Sequence, residues 1–158
     1  MPADTQVRAA AAPDAAALLP LVRAMNQEQG DPQDIVTEAD LAALIAEAQV
    51  SVAIRDGVLV GYATGHATFE TAHAERGLYV GDLYVVPAER RHGIGRALLA
   101  RLAAAGQARG ARHLWLTARE DNTAAHAFYR RLGGQGERVL AFACVTDDFE
   151  ALVAEAAP

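Results

Sequence analysis

The 158-residue chain is 52% apolar and 22% charged, which fits one compact domain over residues 1–158 with a single core. Its formal net charge of −6 argues against a broad nucleic-acid surface, because neutralising phosphates needs clustered Lys and Arg. One cysteine excludes a disulfide framework within the chain, and no apolar stretch approaches the ~20 residues of a membrane span.

In chain order, residues 7–10 read as a short strand. Pro13-Asp14 opens a helix with Asp14 as N-cap and Leu18, Leu19, Leu21, Val22 and Met25 as its apolar stripe. Pro20 is expected to kink or restart it, and Gly30-Asp31-Pro32 ends it. Thr37 caps a second helix, with Leu41, Leu44 and Ile45 buried. Residues 50–55 and 58–69 form a hairpin around Asp56-Gly57, whose glycine tolerates the positive φ of a type I′ turn. A polar loop over 71–77 leads to a strand over 78–86, stopped by Pro87. A helix over 93–109, a strand over 112–118 and a helix over 121–132 follow. A last strand is expected over 139–145 and a short helix over 147–154. The lone thiol, Cys144, lies in the apolar run of that last strand and is expected to be buried and structural. The order predicts an α/β fold: a mixed, twisted central sheet with antiparallel hairpins, a βαβ crossover and helices on both faces. The start of the chain lacks the basic and apolar pattern of a signal peptide, so a cytoplasmic location is expected.

The stretch from Asp82 to Leu99 carries the chemistry. It is a strand, a basic turn and a helix opened by Gly93 and Gly95. A helix N-terminus offers unpaired N–H groups and partial positive charge, and glycine lets a phosphate approach that backbone. Arg90, Arg91, His92 and Arg96 add positive potential, so a phosphate or pyrophosphate site is expected here. The Walker pattern is absent, and the third glycine of the dinucleotide fingerprint is replaced by Leu98.

Arg90-Arg91-His92-Gly93-Ile94-Gly95 resembles the Q/R-x-x-G-x-G/A signature of GNAT N-acetyltransferases, preceded by their Leu-Tyr-Val-x-Pro strand. Asn122 to Gly133 resembles the family's N-x-x-A-x-x-x-Y-x-x-x-G helix. The resemblance implies that the pyrophosphate of acetyl-CoA, the cosubstrate, lies on the turn formed by Arg90, Arg91, His92, Gly93, Ile94, Gly95 and Arg96. It implies that the pantetheine arm runs beside Leu83, Tyr84 and Val85, pairing with backbone while the Leu83 and Val85 side chains stay in the core. Asn122 would contact the same arm. Tyr129 would face the thioester sulfur, where a phenol can protonate a departing thiolate at modest cost. No metal is implied.

An alkylammonium is almost entirely protonated at neutral pH, so something must take its proton. Asp82 is the best-placed carboxylate, and strand alternation puts it on one face with Tyr84, opposite Gly81 and Leu83. Some family members carry an acidic pair here, whereas this chain has Gly81. His66, Glu70 and His73 are alternative bases. A backbone N–H near Val85 is the candidate oxyanion donor. Met25, Asn26, Glu28, Gln29, Asp31 and Asp34 cluster between the first two helices, on the side expected to meet the acceptor. Residues 147–152 resemble the tail of polyamine or thialysine acetyltransferase-like members. The expected reaction is acetyl transfer to a primary amine of a small molecule, such as a polyamine or amino acid, by direct attack. Protein N-termini or lysines, and a non-catalytic CoA-binding regulatory module, are the alternatives. The expected partners exclude nucleic acid and membrane, and relatives suggest a homodimer.

Overall fold

A computed structural model describes residues 1–2 and 4–156. The chain falls into two compact units, residues 1–119 and 120–158. The first holds a five-stranded sheet in the order β1-β2-β3-β4-β5, with β1 Thr5–Ala9, β2 Gln49–Arg55, β3 Val58–Glu70, β4 Glu75–Val85 and β5 Ala111–Trp115. The first four strands pair antiparallel, and β5 pairs parallel with β4. The β4–β5 crossover is α3, Ile94–Gln107. The mixed sheet expected from the element order is therefore present.

Side-chain alternation on β3 sorts the two faces of the sheet. Tyr62 is fully buried and joins Val52 and Tyr84 beneath α1, Ala15–Gln29, and α2, Glu38–Glu47. Leu18, Leu21, Met25 and Leu41 close this layer. The other face receives α3 through Ile94, Leu98, Leu99 and Leu102, all at most 5% exposed. Each such side chain contributes roughly 1.5–3 kcal/mol of burial free energy. Gly106 lets the helix press close. A Cβ there would stand 2.6 Å from Leu78 Cδ1 and 3.2 Å from Ala111 Cβ, and Leu78 is itself only 1% exposed.

Local signals fare unevenly. Asp56 and Gly57 take φ +50° and +79°, the positive pair a type I′ hairpin requires. Thr37 caps α2, accepting from Asp40 N–H at 3.2 Å, while the Asp40 carboxylate accepts from Thr37 N–H at 2.9 Å. Asp14 precedes α1 but does not cap it with its side chain. Its carboxylate binds Arg8 at 2.6 and 2.7 Å and Ala11 N–H at 2.7 Å. The Arg8 hydrogen bond holds its pKa below the ordinary carboxylate value. Helix α1 runs through Pro20 without restarting. β4 begins at Glu75, so the loop expected over 71–77 is shorter.

The second unit holds α4, Thr123–Arg131, and α5, Asp147–Glu155. The strand expected over 139–145 is absent among the described residues. An apolar run makes a strand only where a neighbour completes the ladder, and among the described residues this segment pairs with none. Leu140 and Phe142 are 83% and 91% exposed, and Cys144 is exposed rather than buried. No helix among the described residues is long and apolar enough to cross a membrane.

Candidate active site

β5 pairs with β4 only from Arg76 to Tyr79. Beyond Tyr79, no strand among the described residues pairs with the outer edge of β4. Val86 N–H donates to Val60 O at 2.9 Å, so the two-residue period turns Tyr84 toward β3 and the backbones of Leu83 and Val85 outward. Those are the two backbones expected to pair with pantetheine. Their side chains are half-buried rather than fully in the core. Tyr84 is 5% exposed, and its hydroxyl donates to Glu28 Oε1 at 3.0 Å. Burial pushes its phenol pKa upward.

After β4 the chain makes a short 3-10 turn, Pro87–Glu89, and enters the basic segment. Arg91 has φ +66° and Gly93 φ +81°. A left-handed arginine costs free energy and is held only where the surroundings impose it. Gly93 takes the same region without a Cβ clash and serves as N-cap of α3. No side chain caps this helix, and the first backbone bond to reach Gly93 O comes from Ala97 N–H, at 3.1 Å. The N–H groups of Ile94, Gly95 and Arg96 therefore precede the helical ladder. Among the described residues Arg91 and Arg96 make no ion pair. His92 faces Glu89, with Nδ1 3.7 Å from Oε2, and Glu89 also pairs with Arg55.

Arg90 is turned away from the open helix end. Its guanidinium holds Glu28 at 2.7 and 2.8 Å, its Nε donates to Val85 O at 2.8 Å, and it lies 5.5 Å from the Tyr84 ring centroid. Glu28, grouped from sequence with the acceptor side, commits its carboxylate to Arg90 and Tyr84. Met25 is core, its sulfur accepting from Tyr62 Oη at 3.3 Å. Asn26 ties down the following loop through Pro32 O at 3.0 Å.

Asp82 lies where the β3–β4 register slips, between the pairs Ala63↔Leu83 and Gly65↔Val80. Gly81 and Asp82 together oppose Thr64, which is the two-against-one count of a β-bulge. Strict alternation fails there. A Cβ on Gly81 would stand 3.0 Å from Thr64 Oγ1, and the Asp82 carboxylate bonds that same oxygen, so the expected opposition of Gly81 and Asp82 is corrected by the bulge. Asp82 is half-buried. Burial raises its carboxyl pKa, while the Thr64 hydrogen bond and His66 pull it back. Glu70 and His73 sit 3.2 Å apart and exposed at the β3–β4 loop.

In the second unit Asn122 is the N-cap of α4, its Oδ1 accepting from Ala125 N–H at 3.0 Å. Tyr129 is half-buried, and this pushes its phenol pKa above the ordinary value. Its ring meets Phe128 edge-on at 5.1 Å. No cluster of three or more His, Cys, Asp or Glu among the described residues is placed to hold a metal. Sequence reasoning missed Thr64 and the Glu28–Arg90–Tyr84 cluster. The first becomes visible only through the slipped register, and the second joins residues 62 positions apart.

The sequence and the fold can be set beside those of known proteins. Residues 18–134 match the Acetyltransferase (GNAT) family. The chain is 36% identical over 116 residues to streptothricin acetyltransferase of Streptomyces lavendulae, covering 72% of this chain but only 57% of that protein. It is 29% identical over 130 residues to an uncharacterized N-acetyltransferase, YhfO, of Bacillus subtilis strain 168, covering 80% of this chain and 87% of that one. Its fold matches that of an aminoglycoside N-acetyltransferase, AAC(6')-Iy, in complex with CoA, with TM-score 0.73 at 18% identity over 87% of this chain and 98% of the other. With a match across 117 of its 158 residues, the chain belongs to the GNAT acetyltransferase family, whose members use acetyl-CoA.

Proposed function

We propose that the chain transfers the acetyl group of acetyl-CoA to a primary amine of a small molecule by direct attack. The observation that carries this reading is the unpaired β4 edge leading straight into the open N-terminus of α3. The outward backbone of Leu83 and the N–H of Val85, whose carbonyl already accepts from Arg90, suit an amide-bearing arm, and the N–H groups of Ile94, Gly95 and Arg96 suit a pyrophosphate. Arg91, His92 and Arg96 supply positive charge around it, and Arg90 braces the turn through Glu28. Acetyl-CoA supplies an activated acetyl thioester.

In the proposed reaction Asp82, directly or through water, takes the proton of the ammonium. The freed amine nitrogen bonds to the acetyl carbon, a backbone N–H near Val85 steadies the oxyanion, and the C–S bond breaks. Tyr129 gives the thiolate its proton and is reprotonated, through water, by the second proton that leaves the acylated nitrogen, while Asn122 orients the arm. The raised pKa of Asp82 makes it a better proton acceptor than an ordinary carboxylate, and the products are an amide and free CoA thiol. A small-molecule acceptor is supported by the similarity to a protein named for acetylating streptothricin.

The test is thiol release from acetyl-CoA across a panel of aminoglycosides, streptothricin, polyamines, amino acids and N-terminal peptides. Release that depends on a small amine is the expected outcome. Release with peptides alone would move the acceptor to proteins. Silence despite measured acetyl-CoA binding would leave a CoA-binding regulatory module.

A further inference from the structure

The bulge in β4 leaves a problem that Thr64 solves. Where two residues oppose one, a backbone amide loses its ladder partner, and a buried amide without a partner is costly. Here the amide is that of Asp82, and it donates to Thr64 Oγ1 at 2.9 Å. The same hydroxyl donates to Asp82 Oδ2 at 3.0 Å. Thr64 is fully buried, so water does not reach its hydroxyl. A hydroxyl has one proton to give. With one of its two lone pairs taken by the amide, the hydroxyl gives that proton to the carboxylate, which favours the ionised form and fixes its direction.

Gly81 completes the arrangement. A Cβ at this position would stand 3.0 Å from Thr64 Oγ1 and 3.5 Å from His66 Nε2. The missing side chain is therefore the space in which the hydroxyl meets the carboxylate. A longer side chain at position 81 would displace it. The titratable groups facing Asp82 within the first unit are His66 and Tyr62 on β3, with Tyr84 beside Tyr62. His66 favours the charged carboxylate when protonated, while Tyr62 is buried and stays neutral.

We infer that Thr64 is a positioning residue for the acetyl-transfer reaction, aiming the Asp82 carboxylate and keeping it ionised from within the bulge. This rests on Asp82 being the base proposed above. The role does not require Thr64 to touch either substrate.

Two readouts test it. The Asp82 carboxyl is titrated by carbon-13 NMR in the full chain without ligand, for wild type, Thr64→Ser, Thr64→Val and Gly81→Ala. Thr64→Val is expected to raise the Asp82 pKa by about one unit, and Thr64→Ser to hold it near wild type. Gly81→Ala keeps the hydroxyl but shifts it, and raises the pKa in the same direction, which serves if Thr64→Val does not fold. The second readout is the acid limb of kcat/KM for the amine found in the thiol-release panel, which should move with the NMR value. An unmoved Asp82 pKa in both Thr64→Val and Gly81→Ala overturns the inference. An acid limb that survives in Asp82→Asn overturns the base assignment, and the positioning role falls with it, even where the NMR shift is seen.

Discussion

Tyr129 shows how far a single side chain can be read. The spacing from Asn122 to Gly133 marks it, and the structure adds a half-buried phenol whose pKa is raised by burial. A phenol that resists ionisation at neutral pH keeps its proton until a thiolate forms beside it. Tyr129→Phe is expected to lower kcat by about 100-fold while changing acetyl-CoA KM little, in steady-state kinetics. An unchanged kcat would remove the leaving-group role. The places of Asn122 and Gly93 at the starts of α4 and α3 were legible, because a motif fixes them along one short helix or turn. Thr64 was not, because it acts on a residue 18 positions away through a register slip that no local pattern encodes. Asp14 shows the converse: its position before α1 was plain, but Arg8 on β1 claims its carboxylate.

At the scale of elements, the turn between β4 and α3 is the most telling part of the chain. Its left-handed residues Arg91 and Gly93, its missing cap and its glycine at 95 all leave backbone donors facing outward. Gly95→Val would place a branched side chain over those donors. It is expected to weaken acetyl-CoA binding by about tenfold or more in calorimetry, with little change in Tm. Unchanged binding would separate the turn from the CoA site. The helices and hairpin that hold this turn were readable from periodicity, caps and the Asp56-Gly57 pair. The strand over 139–145 was misread because pairing is a long-range property, and an apolar run supplies only one side of a ladder.

At the scale of the whole molecule, the order of elements was enough to expect a mixed sheet with hairpins and a crossover, since right-handed βαβ connection and sequential hairpins leave few arrangements. What order does not reveal is how closely the layers approach. Gly106 sits twelve residues beyond Ile94 on α3, about 18 Å along the axis. A methyl group there has nowhere to go against Leu78, so the helix would tilt about this contact. A tilt of about 5° over that length swings the N-terminal amides by about 1.5 Å, enough to misaim them at a phosphate. Gly106→Ala should therefore raise acetyl-CoA KM several-fold in kinetics at saturating amine, from a position that never meets the cosubstrate. The helix works as a beam: its tight footing on the sheet sets the aim of its other end, so under the proposed function the accuracy of a phosphate grip is decided one helix-length away.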